Sequence, residues 1–225
     1  MSTNLDHSRV INTLLGKFEK NFLLWLASKT PPCITSDQMT ILGVVSSLFI
    51  ALFYYLTNYS KYFLWAASFC FILNWIGDSL DGTLARYRKK ERPKYGFFID
   101  HTLDVISEMS VFMGIGLSPY INFEYALLAL IGYLILSVYV YVKTFVTGIF
   151  QLSFGNLGPT EMRVFIIILN AILFYFGALE FSIFSYKLNL LNLVGLFLFI
   201  GMLFIFIEKV YVDAKVLKEI DEKNF

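Results

Sequence analysis

A chain of 225 residues sets a single domain over 1–225 as the expectation. Apolar residues make up 57% of it and mean hydropathy is +0.66, too high for an ordinary soluble domain and suited to a bilayer. A net charge of +1 excludes any global attraction to nucleic acid. Cys70 falls inside an apolar run and Cys33 just before one, so the two cysteines predict neither a disulfide framework nor a metal site.

The first nine residues are polar, and no apolar core follows at the distance a cleavable secretory signal needs, so the N-terminus is expected to stay in place. Next, Ile11, Leu14, Leu15, Phe18, Phe22, Trp25 and Leu26 recur at helical spacing, with Lys17, Glu19 and Lys20 elsewhere on the wheel. This pattern predicts an N-terminal amphipathic juxtamembrane helix, lying in the membrane surface or packed on a helix bundle. Six apolar stretches follow, over 39–58, 62–77, 97–118, 125–142, 164–179 and 188–207. Each can cross or nearly cross a bilayer, which takes about 20 helical residues, and the short second and fifth can be extended by polar helix. The predicted fold class is therefore all-α, a polytopic membrane protein with six transmembrane helices. With both termini on one side, 16 of the 18 Lys and Arg residues share that side and only Lys61 and Lys187 lie opposite. That asymmetry places the termini and the basic segment 86–94 in the cytoplasm.

The third stretch carries Asp100, Asp104 and Glu108. An acidic group at membrane depth costs roughly 2.5–3.5 kcal/mol, so such groups face a protein interior or a wet cavity. Just upstream, Asp78, Asp81, Gly82 and Ala85 fall at i, i+3, i+4 and i+7, so two carboxylates share a helix face with two small residues, and Arg86 follows at its edge. The small residues either leave room for a ligand near the backbone or pack helices together. After a basic loop broken by Pro93, Gly96, Asp100 and Asp104 recur at four-residue steps. If the two helices are neighbours, four aspartates converge near the cytoplasmic surface. They would repel one another unless cations fill the space, and Arg86 alone is too little. All-oxygen ligation favours hard divalent ions, and two Mg2+ or Mn2+ ions would balance four carboxylates, with a pyrophosphate-containing substrate as a further ligand.

The string Asp78-x2-Asp81-Gly82-x2-Ala85-Arg86-x9-Gly96-x3-Asp100-x3-Asp104 closely resembles the signature of the CDP-alcohol phosphatidyltransferases. All eight specified residues are present, and the departure is a nine-residue rather than eight-residue spacer after Arg86, in the loop around Pro93. The six-span layout is similar too, as is Ser36-Asp37-Gln38-Met39-Thr40 before the first span, with Ser36 where the family has proline. The resemblance implies a divalent-metal-dependent transferase of phospholipid synthesis that moves a phosphatidyl group from a CDP-alcohol to an acceptor hydroxyl and releases CMP. It implies that Asp78, Asp81, Asp100 and Asp104 hold the metals and that Asp104 also acts as general base. Asp37, Thr40, Asp81, Gly82, Ala85, Arg86 and Gly96 would line the CDP-alcohol site. Many members of that family are homodimers. The donor on this reading is CDP-diacylglycerol, with a CDP-aminoalcohol and diacylglycerol acceptor as the alternative, and membrane lipid is a partner in either case.

Glu161 and Arg163, at the start of the fifth span, resemble an acidic-then-basic element of the family branch that uses inositol phosphate, which makes Arg163 a candidate acceptor contact. Lys143, at the end of the fourth span, is a second candidate or a snorkelling lysine. Residues 88–94 anchor the cytoplasmic face or contact phosphate. His101 lies one position off the aspartate face, so a ligand role is not expected of it. Two other classes compete. Intramembrane prenyltransferases bind diphosphate through aspartate-rich helices, but Gly77 and Ala85 stand here where that motif needs Asn and Asp. A small cation transporter with an acidic intramembrane site would not require Gly82, Ala85 and Arg86 beside the aspartates.

Overall fold

The computed structural model describes residues 15–148, 158–178, 180–183 and 186–223. Helix α1 (Gly16–Lys29) leads into α2 (Ser36–Leu56), α3 (Phe63–Tyr87), α4 (Pro93–Gly116), α5 (Phe123–Thr147) and α6 (Pro159–Phe176). A hairpin of β1 (Glu180–Ile183) and β2 (Tyr186–Asn189) precedes α7 (Leu190–Lys223). Helices α2 to α7 correspond one to one with the six predicted stretches.

Local chemistry sets the boundaries. Thr35 and Gln38 form a reciprocal capping box at the start of α2. Pro93, read above as a breaker, is instead the first residue of α4, where its missing N–H costs nothing, so Gly96 already lies within the helix. Gly148 ends α5 with a left-handed φ of 73°. The sixth stretch was expected to start at 188, but Leu188 belongs to β2, and the Asn189 side chain accepts from the Leu191 N–H at 2.8 Å to open α7. The hairpin is therefore an exception to the all-α expectation. As anticipated, α3 continues past its apolar run, from Gly77 to Tyr87. Ile11 and Leu14 of the amphipathic stripe, and Leu179, lie outside the described residues.

Small residues let α2 sit close to both neighbours. A Cβ on Gly77 would lie 2.4 Å from the Gly43 backbone nitrogen, so α2 and α3 cross with their backbones in contact. Further along α2, Ala51 fills the space beside Gly114 of α4. The core joins Ile50 and Tyr54 of α2 to Leu64 and Phe71 of α3, Val111 of α4 and Leu173 of α6. Inside it, the Tyr54 hydroxyl donates to Asn170 Oδ1 at 2.7 Å and Asn170 Nδ2 donates to Ser68 Oγ at 3.0 Å, so no polar atom of this network is left unsatisfied. Helix α1 docks on α3, with Leu23 and Ala27 buried against Leu80 and Leu84 and the Phe22 ring 5.8 Å from Trp75. Its opposite side leaves Phe18 and Trp25 exposed.

Large apolar side chains such as Phe145, Phe197 and Phe204 are exposed along the outer faces of α5 and α7, as suits lipid rather than water. Among the described residues, five helices (α2, α3, α5, α6 and α7) are long and apolar enough to cross a membrane. Helix α4 has 24 residues, a length of about 36 Å, but carries Asp100, Asp104 and Glu108.

Candidate active site

The polar end of the bundle is built on α3. Asp78 accepts from Arg163 Nη2 of α6 at 2.7 Å, and Arg163 Nε donates to Asn74 Oδ1 at 2.9 Å. Asn74 Nδ2 in turn donates to the Gly43 carbonyl at 2.9 Å. One guanidinium therefore ties α6 to α3 beside the tight α2–α3 crossing. One turn on, Asp81 is almost enclosed, accepting from Thr40 Oγ1 of α2 at 2.7 Å and from the Gly82 N–H at 2.5 Å.

Helix α4 supplies the facing carboxylates. Asp78, Asp100 and Asp104 line one cavity of about 300 Å³, together with Thr40, Asn74, Glu108 and Arg163 at its polar end and Phe71, Val111 and Ile115 at its apolar end. Asp81 stands behind the wall yet lies close enough to feel the charges of Asp78 and Asp104. Of the four aspartates expected to converge, Asp78, Asp100 and Asp104 line the cavity, while Asp81, held by Thr40, does not. His101 belongs to the cluster as well. Its Nδ1 lies 3.5 Å from Asp104 Oδ2 and 3.8 Å from Asp100 Oδ2, and one ligating atom from each of the three residues lies within 4.8 Å of the others. The i, i+3 spacing of His101 to Asp104 was the signal that could have found it.

Asp78, Asp100, Asp104 and Glu108 line this pocket against one cation, Arg163, among the described residues, an excess of hard oxygen donors that suits divalent cations.

The remaining candidates separate. Nothing lies within 4 Å of a Cβ placed on Gly96, and at Gly82 it would meet only the Arg86 guanidinium, at 3.3 Å. These two glycines keep space open rather than packing helices; Gly77, which the spacing did not single out, packs α3 on α2. Arg86 also donates to Thr83 Oγ1 at 3.2 Å, and Ala85 beside it is half-buried. Asp37 forms an ion pair with Arg92 at the start of α4, away from the cavity wall. Arg88 donates to the carbonyls of Thr30, Pro31 and Ile34, holding the α1–α2 connection. Lys143 does not line the cavity; it binds Asp213 Oδ2 at 2.6 Å and the Tyr139 hydroxyl at 3.2 Å, joining α5 to α7.

Residues 33–207 match the CDP-alcohol phosphatidyltransferase family. The chain belongs to that family. With its apolar helices, membership makes it a multi-pass membrane protein. The whole 78–104 signature and Arg163 lie inside the matched residues, whereas α1 precedes them. Among curated relatives, the archaetidylinositol phosphate synthase of Pyrococcus horikoshii is 35% identical over 99 residues, which is 44% of this chain and 50% of the relative. The match thus spans half of that relative's length.

Proposed function

We propose that this phosphatidyltransferase moves a phosphoalcohol group from a CDP-activated lipid, CDP-diacylglycerol in the simplest case, to the hydroxyl of a small phosphorylated polyol, with release of CMP. The observation that carries the reading is the single cavity shared by Asp78, Asp100, Asp104 and Arg163, apolar at one end and charged at the other. An amphiphilic donor fits such a cavity, with its chains toward Phe71 and Ile115 and its diphosphate at the carboxylates.

In this reading Asp78, Asp81, Asp100 and Asp104 hold two Mg2+ or Mn2+ ions, which when bound would neutralise charge on the diphosphate and on the leaving CMP. Asp104 accepts the proton of the acceptor hydroxyl as its oxygen bonds to the β-phosphorus. The bond from that phosphorus to the bridging oxygen breaks, and the electron pair leaves with CMP. Gly82 and Gly96 keep space for the nucleotide, and Arg86 lies over Gly82 to meet its phosphates. Arg163 presents a fixed fork of donors suited to a phosphate on the acceptor. The name of the Pyrococcus relative favours inositol phosphate as that acceptor. In this reading helix α4 is the sixth span, with its acids turned to the cavity, and the basic-residue asymmetry supports a site at the cytoplasmic face.

The deciding experiment supplies the purified protein with CDP-diacylglycerol, Mg2+ or Mn2+ and a panel of acceptors, and follows CMP by chromatography and lipid products by mass spectrometry. Metal-dependent CMP release with inositol phosphate is expected, together with its loss in Asp81→Asn. Activity that persists in that variant, or ion uptake into vesicles without any CMP, would overturn the assignment.

A further inference from the structure

Glu19, on α1, precedes the residues that match the family and touches none of the cavity, yet its carboxylate occupies a junction of three helices. Glu19 Oε1 accepts from Trp75 Nε1 at 2.9 Å and Ser79 Oγ at 3.3 Å on α3, and from Thr160 Oγ1 at 2.8 Å on α6. The α3 donors are each one residue beyond Asn74 and Asp78, the two partners of Arg163. Thr160 is one turn before Arg163 on α6. The same two helices are thus bridged twice at the same level, by Glu19 on the outer side and by Arg163 on the cavity side. A second link fixes the geometry: Glu161 accepts from the Leu15 N–H at 2.9 Å through one oxygen and from the Gly158 N–H at 3.0 Å through the other. The start of α6 is therefore held by α1 at two successive residues, and α1 is itself seated on α3 by Leu23 and Ala27.

We propose that Glu19 is a positioning residue for the acceptor site: by clamping Thr160 to α3 it sets the depth at which Arg163 enters the cavity beside Asp78. The inference rests on the reading of Arg163 as the acceptor contact. A carboxylate suits the task because it accepts from an indole N–H and two hydroxyls without offering a competing donor. Losing it removes one of the two links that hold the first turn of α6 and leaves the aspartates of α3 and α4 in place, so the acceptor side suffers before the nucleotide side.

The test measures KM for inositol phosphate, KM for CDP-diacylglycerol, kcat and thermal unfolding in detergent for Glu19→Ala, Glu19→Gln, Thr160→Val, Arg163→Ala and the Glu19→Ala/Arg163→Ala pair. Glu19→Ala and Thr160→Val are expected to raise the acceptor KM on the order of tenfold with the donor KM nearly unchanged. Glu19→Gln, which keeps an accepting oxygen, is expected to restore most of the affinity, and Glu19→Ala is expected to add no further rise in the Arg163→Ala background. A fall in unfolding temperature and kcat with both KM values unaltered would make Glu19 merely structural and overturn the proposal. If Glu19→Ala does not fold, Thr160→Val decides alone, since it removes one hydroxyl without changing shape. An unchanged acceptor KM in Arg163→Ala would instead overturn the acceptor reading, whereas a raised KM there and a normal one in Thr160→Val would overturn only the positioning role.

Discussion

Among single residues, Thr40 shows how far a side chain's part depends on its partner. It stands in a segment similar to a nucleotide-pocket element, and its hydroxyl is spent on Asp81. A hydrogen bond that orients a metal-binding carboxylate typically contributes 10–100-fold to metal affinity. Thr40→Val is therefore expected to weaken Mg2+ or Mn2+ binding by about that factor in calorimetry, while Thr40→Ser retains it. For Asp104, which lines the cavity and is the proposed general base, loss of that role would cost about 10²–10⁴ in rate. Asp104→Asn is expected to reduce CMP release by that margin with the fold intact, as circular dichroism in detergent would verify. His101, beside both α4 aspartates, occupies an unspecified position of the signature, between Asp100 and Asp104.

Helices meet here through two kinds of glycine, and the distinction is one of packing. Gly77 is in backbone contact with Gly43, whereas Gly96 has open space around it. Overpacking a tight contact costs about 1–3 kcal/mol or more, and for a chain of this size each kcal/mol moves the unfolding temperature by roughly 2–4 °C. Gly77→Leu is thus expected to lower the unfolding temperature by several degrees or to prevent folding. Gly96→Ala is expected to leave that temperature nearly unchanged and to lower activity with the CDP-alcohol, because its cost arises only when a ligand fills the space. Scanning calorimetry and the CMP assay together separate the two. The long register of α7, 34 residues from Leu190 to Lys223, shows the same division of labour: its apolar half suits lipid, and its polar half reaches back to Lys143 through Asp213.

On the scale of the whole molecule, the charge asymmetry makes a topological statement that can be measured. Cys33 is exposed in the α1–α2 connection and Cys70 is buried in α3. A membrane-impermeant maleimide is expected to label Cys33 from the cytoplasmic side of oriented vesicles only, and to leave Cys70 unmodified until the protein is unfolded. Labelling of Cys33 from the opposite side would reverse the orientation.

What could be read from sequence was whatever repeats at short range. The six apolar stretches follow from the thickness of a bilayer, and the two aspartate faces follow from the 3.6-residue turn, so both were legible without coordinates. Whether the faces meet depends on how α2, α3 and α4 cross, and Gly43, Gly77 and Gly114 decide that through contacts that no periodicity encodes. The links that complete the site are more remote still: Arg163 reaches Asp78 across 85 positions and Glu19 reaches Thr160 across 141. Composition and local spacing determined the membrane class and the acidic chemistry by themselves, because each acts within a few turns of one helix. Only the tertiary structure decided which polar groups face the cavity and which are tied up elsewhere, as Lys143 and Asp37 are, because a side chain's partner is chosen by packing between distant helices.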